Sequence, residues 1–232
     1  MARLYMVGTN HRDLKGPKRL EKFLNFVRPD LIGIESTEED YISRIENHEK
    51  LKSSEALMKL KLSQEYGWKK TEFILKYLNS QNYESWVSYE FSKRNIGTKV
   101  IPCDKFKKEK VTAIINQIYE VGNASADFLN RNLSIEELSK LDFEEYQSHM
   151  DLVYHLSSIE EFKKDPEMFR NLFLLRDSWT ELKIKKAFSE TEHTMVYVGG
   201  AMHIFGDYYN LGERLSDLSP VRIKLPEMDK FN

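Results

Sequence analysis

The stretch Val196-Tyr197-Val198-Gly199-Gly200-Ala201-Met202-His203 has a counterpart at the start of the chain, Tyr5-Met6-Val7-Gly8-Thr9-Asn10-His11. In both, a short apolar run with strand character ends in Gly-x-x-His. The glycine lets the chain turn sharply, so each turn presents an imidazole. A third run, Leu31-Ile32-Gly33-Ile34, ends in Glu35. Because ligands bind beyond the carboxyl ends of strands in open α/β sheets, we expect the two histidines and the glutamate to converge on one site.

Strand and helix alternate through the N-terminal third of the chain. Apolar residues at helical spacing follow the first strand, and Pro29 ends that helix before the second strand begins. A strand–helix–strand unit of this length predicts a parallel pair with a right-handed crossover. From about residue 38 to 95 the pattern is mainly helical, with interruptions at Gly67 and Asn95-Ile96-Gly97. Thr37 to Asp40 resembles the capping sequence of a helix start.

The remainder predicts three further strands and a block of helices. The strands are expected at 99–101, at 194–199 and, as an edge strand, at 221–225, with consecutive helices over about 105–190 and a last amphipathic helix over 208–217. We therefore predict one α/β domain spanning residues 1–232, with a mostly parallel central sheet flanked by helices. A helical insertion or cap, at about 106–190, is expected between the N- and C-terminal parts of the sheet.

Composition limits the classes of partner and compartment. The 232 residues include 35 Lys and Arg against 37 Asp and Glu, and a net charge of -2 gives no reason to expect a nucleic-acid partner. A single cysteine, Cys103, excludes an internal disulfide and suits a reducing compartment. No apolar segment resembles a signal peptide or a membrane span. These features predict a cytoplasmic protein without membrane partners.

Two histidines and a carboxylate form a ligand set that suits zinc and also suits manganese or ferrous iron. A bound ion of this kind acidifies a water molecule and polarises a carbonyl, as hydrolysis requires. The alternative for each histidine is a hydrogen-bonded loop residue, and for Glu35 the start of a helix. The pattern alone leaves these alternatives open.

Four other residues are candidates for the same site. Asp104 follows the third strand and could be a ligand, a partner that orients a histidine, or a helix N-cap, which the pattern favours. Arg176 stands at a predicted helix start, where it could grip a carboxylate or a developing oxyanion. Asp177 beside it, like Asp104, could orient a histidine. Glu90 precedes the third strand and could point to the same pocket, although a surface position is favoured.

Motifs of the commonest alternative enzymes do not occur in the sequence. There is no Gly-x-Ser-x-Gly elbow of a serine hydrolase. The phosphate-binding Gly-x-x-x-x-Gly-Lys and the dinucleotide-binding Gly-x-Gly-x-x-Gly are also missing.

The ordered set of motifs resembles the TraB/PrgY/GumN family, which includes the Tiki proteases, within the erythromycin-esterase/ChaN-like superfamily. Tyr5 to His11 looks like its first strand with Gly-Thr-x-His, and Arg28 to Glu35 looks like its Pro-Asp motif leading to glutamate. Phe91 to Asp104 is similar to its helix–strand passage ending in aspartate. Arg176 to Trp179 looks like its arginine-bearing helix, and Val196 to Gly206 looks like its closing Gly-x-x-His-x-x-Gly. Residues 3–36, 85–105 and 172–216 carry the likeness.

The resemblance implies a parallel-sheet core with the site at the strand ends, and site roles for His11, Glu35 and His203, followed by Arg176. Its Tiki members imply peptide hydrolysis that depends on a divalent ion such as manganese or cobalt. The leading hypothesis is thus a cytoplasmic, peptidase-like hydrolase that acts on a peptide or small molecule. A divalent ion (manganese, cobalt or zinc) would be held by these three residues, or by the histidines while Glu35 acts as general base. Arg176 would stabilise an oxyanion.

Two alternatives from other classes remain. One is a non-enzymatic protein of the TraB type that binds a peptide and regulates signalling. The other is an esterase-like hydrolase that needs no metal and uses a histidine as base.

Overall fold

The computed structural model describes residues 2–106, 133–156, 166–191, 193–206 and 208–230. At its centre is a five-stranded parallel sheet flanked by helices, which confirms the predicted α/β class. The strands are β1 (Arg3–Thr9), β2 (Leu31–Ile34), β3 (Lys99–Pro102), β4 (Thr194–Gly200) and β5 (Val221–Lys224). The predicted edge strand is β5, which among the described strands pairs with β1 alone.

The strand order is β3-β2-β4-β1-β5, so the strand from the C-terminal part of the chain lies in the middle. The predicted direct pairing of β1 with β2 is wrong, because β4 pairs with both of them and separates them. Thr9 is opposite Gly200 in the β1–β4 register. Consequently, the two Gly-x-x-His motifs leave the sheet side by side, at its carboxyl edge.

Four helices lie between β1 and β3 in the chain: α1 (Gly16–Val27), α2 (Glu38–Tyr66), α3 (Trp68–Ser80) and α4 (Tyr83–Arg94). The predicted break at Gly67 is confirmed, with φ at +76°, a conformation that suits glycine. A second break, at Asn82 with φ at +49°, was not predicted. Thr37 caps α2 as expected, since its hydroxyl accepts the Asp40 backbone N–H at 3.1 Å.

The helices described between β3 and β4 are α5 (Ile135–Lys140), α6 (Phe143–Leu156) and α7 (Pro166–Ser189). Residues 107–132 and 157–165 of the predicted insertion lie outside the described residues. Short helices α8 (Ala201–Phe205) and α9 (Leu211–Arg214) follow β4.

The helix predicted over 208–217 is in fact broken. The α-helical turn of α9 is followed by a 3-10 turn, Ser216–Leu218, and another 3-10 helix, Leu225–Lys230, follows β5. Ser219 ends the first 3-10 turn in a left-handed conformation, and Pro220 after it disfavours a helical residue at that position.

Both faces of the sheet are covered by apolar side chains. On one face Leu20, Phe23 and Leu24 of α1 pack with Val87 and Phe91 of α4. On the other face Ile184 of α7 packs with Met6 of β1 and with Cys103, which is buried as predicted. None of the described helices combines the length and the apolar character needed to cross a membrane.

Candidate functional site

His11 lies in the turn after β1 and is oriented by a carboxylate. Its Nδ1 is 2.7 Å from Oε1 of Glu84, in the first turn of α4. The Thr9 hydroxyl donates to the same oxygen at 2.7 Å. Burial alone would raise the pKa of Glu84, but His11 and Thr9 together hold it below its ordinary value. The His11 side chain is 44% exposed, so the ring is open to solvent on the other side.

His203, in the α8 turn that follows β4, lies between two carboxylates. Its Nδ1 is 2.5 Å from Asp177 Oδ1, and its Nε2 is 3.2 Å from Glu35 Oε1. Burial would lower the pKa of His203, but the two carboxylates raise it to about 10. The ring is therefore a buried imidazolium at neutral pH. Tyr208 donates a hydrogen bond to the other oxygen of Asp177 at 2.9 Å.

Glu35 follows β2 and accepts hydrogen bonds at both carboxylate oxygens. Arg176 Nη2 donates to Oε1 at 2.7 Å, and the Gly200 backbone N–H donates to Oε2 at 2.5 Å. Burial would raise the pKa of Glu35, but His203, Arg176 and His11 keep it well below its ordinary value. Glu35 is accordingly ionised, and its negative charge is already paired with Arg176 and His203.

The helix start predicted at Arg176 is wrong, because Arg176 lies well inside α7 (Pro166–Ser189). Its side chain connects Glu35 to Asp104, the residue two positions beyond β3. Its Nε and Nη2 donate to Asp104 Oδ2 at 3.1 and 2.5 Å. The backbone N–H groups of Lys105 and Phe106 donate to Asp104 Oδ1. Burial would lower the pKa of Arg176, but the two carboxylates raise it. The guanidinium is thus a fixed positive charge at the centre of the site.

The imidazoles and Glu35 meet around Gly200. A Cβ atom at this position would lie 3.2 Å from Glu35 Oε2, 3.6 Å from His203 Cδ2 and 3.7 Å from His11 Nε2. A larger residue at position 200 would press against the carboxylate and the two imidazoles. The close approach accounts for glycine at this point of the second Gly-x-x-His motif.

The structure brings six of the seven candidate residues together, five of them joined by hydrogen bonds and ion pairs and the sixth, His11, beside them near Gly200. They are His11, Glu35, Asp104, Arg176, Asp177 and His203. The seventh, Glu90, is placed elsewhere, with its carboxylate 3.9 Å from the Lys52 ammonium.

Glu84 belongs to the site and was missed by sequence reasoning. A signal was present, because Glu84 falls at helical spacing with Val87 and Phe91, which face the core. A glutamate on an apolar helix face needs a partner, and here the partners are His11 and Thr9.

The sequence predicted that His11, Glu35 and His203 bind a metal ion, and the arrangement of their donor atoms bears on that hypothesis. Among the described residues, no group of three or more His, Cys, Asp or Glu side chains is arranged to hold a metal ion. The contacts of Glu35 Oε1 show why. This oxygen is shared by Arg176 and the His203 Nε2–H, so an ion here would have to displace a proton and compete with a guanidinium. In this arrangement an ion could bind only if His203 lost its proton and Glu35 Oε1 gave up its contact with Arg176.

Comparisons of the chain with family models, with curated proteins and with solved structures find no match. The likeness to the TraB/PrgY/GumN family therefore depends on the motifs alone.

Proposed function

We propose that this chain is a hydrolase in which His11, oriented by Glu84, acts as the general base. The hydrogen bond between the two side chains is the observation that supports this most directly. An ionised carboxylate can only accept, so the bond places the proton on Nδ1 and leaves the lone pair on Nε2. That nitrogen faces the site near Gly200, where it can take a proton from water.

The other ionisable groups suit this role less well. A carboxylate with a strongly lowered pKa is a poor proton acceptor, which argues against Glu35 as the base. His203 is protonated on both nitrogens when it lies between Glu35 and Asp177, so it has no lone pair to offer. Its positive charge and that of Arg176 instead stabilise negative charge, first on Glu35 and then on an oxyanion that forms beside it.

The substrate class that we propose is a peptide or a small ester or amide. Water is the nucleophile, because the described part of the site includes no serine or cysteine placed against His11. In the first step His11 Nε2 removes a proton from water as the oxygen attacks the carbonyl. The protonated ring then returns that proton to the leaving group as the carbonyl re-forms.

A second candidate is the divalent-metal-dependent form of the same hydrolase. Two observations favour it. Four buried carboxylates face only two cations, Arg176 and His203, which leaves negative charge that a cation would offset. Each histidine also has its Nδ1 against a carboxylate, as metal-ligating histidines usually do. His11, His203 and Glu35 would hold the ion, which would supply an acidified water.

Hydrolysis of a mixed peptide library and of a panel of short-chain nitrophenyl esters tests the proposal. Each substrate is incubated with chelator, and in parallel with manganese, cobalt or zinc. We expect turnover in chelator that falls by roughly 10²–10⁴-fold in His11→Asn. Glu84→Gln should also lose activity, whereas His193→Asn, at an exposed histidine, is the matched control and should not.

The other outcomes separate the hypotheses. Turnover only with added metal would replace the first candidate by the second. A peptide that stays bound and intact would indicate the binding protein instead. Wild-type activity in His11→Asn would rule out His11 as the base.

A further inference from the structure

The loop that carries His11 is held from behind by a second cluster of buried charges. Asp13, fully buried two residues after His11, is at its centre. Its Oδ2 accepts hydrogen bonds from Arg19 Nη1 at 2.7 Å and from the Tyr154 hydroxyl at 3.1 Å. Its Oδ1 accepts from the Lys15 backbone N–H and from Gln147 Nε2, both at 2.9 Å.

Arg19 links Asp13 to two further carboxylates, Asp151 and Asp229. From α1 its guanidinium also donates to Asp151 of α6 at 3.0 Å and to Asp229 in the last 3-10 helix at 3.0 Å. The five N–H donors of its planar guanidinium allow one side chain to serve three carboxylates at once. Arg19 is buried, and burial would lower its pKa, but the carboxylates raise it. The loop, α1, α6 and the C-terminal segment are thus fastened at one point.

Tyr154 of α6 extends this cluster to the residue before His11. Its hydroxyl accepts the backbone N–H of Asn10 at 2.8 Å and donates to Asp13 Oδ2. Asn10 immediately precedes His11, so the phenol fixes the peptide unit from which the histidine extends. The Tyr154 side chain is 2% exposed, and the bond is shielded from water.

We propose that Tyr154 is a positioning residue for His11, acting through the Asn10 backbone and Asp13. Helix α6 of the predicted insertion is in this way part of the site, although no side chain of α6 need touch the substrate. The proposal rests on the proposed function, since it assigns Tyr154 the task of keeping the His11 ring against Glu84. If the ring were free to turn, Nδ1 and Nε2 would exchange roles and the lone pair would leave the site.

The test compares Tyr154→Phe with Tyr146→Phe. Tyr146 lies on the same helix and is similarly buried, at 5% exposed, but among the described residues its hydroxyl makes no hydrogen bond. The readout is the His11 tautomer, from long-range proton–nitrogen correlation spectra of protein labelled in its imidazoles and recorded where the ring is neutral. It needs no substrate.

We expect wild type and Tyr146→Phe to show one tautomer, with the proton on Nδ1. Tyr154→Phe should show averaged nitrogen signals, and on a substrate found in the screen kcat should fall by about tenfold with KM unchanged. A wild-type tautomer in Tyr154→Phe overturns the proposal. Should that variant fail to unfold cooperatively, Asp13→Asn is measured in the same way, and a wild-type tautomer there is equally decisive.

The tautomer and the activity can fail separately. If His11→Asn keeps full hydrolytic activity, the proposed function fails while the effect of Tyr154 on the His11 ring is still measured.

Discussion

His203 connects the chemistry of the site to the stability of the protein. Its ring is buried between Glu35 and Asp177, and both contacts are direct, with no room for a water molecule between ring and carboxylate. An ion pair at this depth has already lost the hydration of its charges. Removing the proton would leave Asp177 buried with the Tyr208 hydroxyl as its described partner, and Glu35 with Arg176 as its nearest cation. The protonation state of one residue therefore affects the whole fold.

Folding stability should decrease as the pH rises from about 6.5, the ordinary pKa of histidine, to about 10, the raised pKa of His203. Below 6.5 the ring is protonated in both the folded and unfolded chain, and the ion pairs contribute fully. Above it the unfolded chain loses the proton while the folded one keeps it, so stability is lost as pH rises. The change is on the order of a few kcal/mol.

Urea unfolding at several pH values in this window measures the effect. His203→Gln should flatten the slope of stability against pH. His193→Gln, at an exposed histidine, should keep the wild-type slope, and equal slopes in the two variants would refute the assignment.

At the scale of elements, helix α2 begins just after Glu35 and its start depends on a single side chain. Thr37 supplies the one side-chain acceptor described at this end, the bond to the Asp40 N–H. Glu38, Glu39 and Asp40 add negative charge to the first turn, where the helix dipole favours it. The cap thus stabilises the start of α2 close to Glu35, whose own backbone N–H donates to Val198 of β4.

Thr37→Ala should lower the free energy of unfolding by about 1 kcal/mol, because the Asp40 N–H loses its acceptor. Thr37→Ser removes only the methyl group and keeps the cap, so it should stay close to wild type. Urea unfolding of the two variants at neutral pH gives the comparison. An equal loss in both would assign the effect to packing of the methyl group instead of the cap.

For the whole molecule, the position of β4 at the centre of the sheet determines which residues matter most for stability. Val196 of β4 is fully buried, whereas Val221 at the edge strand β5 is 47% exposed. Val196→Ala should cost roughly 2 kcal/mol through lost burial and the cavity left behind. Val221→Ala should change stability by about 0.5 kcal/mol or less. Similar losses in urea unfolding would contradict the strand order.

Local sequence patterns predicted most of the secondary structure, but they did not predict which strands pair with each other across the chain. The strands, the helix breaks at Gly67 and 95–97 and the cap at Thr37 follow from residues close in sequence. That β4 enters between β1 and β2 depends on pairing across the whole chain, for which no local signal exists.

The site likewise has residues that local sequence predicts and residues whose position depends on how distant segments pack. Residues at strand ends were predictable because parallel strands deliver them to one edge. On α4 the polar candidate was Glu90, yet the residue in contact is Glu84, which lies roughly 120° away around the helix at about 100° per residue. The sequence does not reveal which face of α4 meets the His11 loop, and this depends on the unpredicted left-handed turn at Asn82.

The central place of β4 also bears on the order of events during synthesis. A ribosome releases β1, β2 and β3 long before β4, and until then β1 has neither of the strands between which it is found in the finished sheet. Glu35 likewise waits for Arg176, His203 and the Gly200 N–H, all of which come from the last third of the chain. A nascent chain released only as far as β3 therefore contains His11 and Glu84 but lacks the partners of Glu35, and the site is complete only after β4 has joined the sheet.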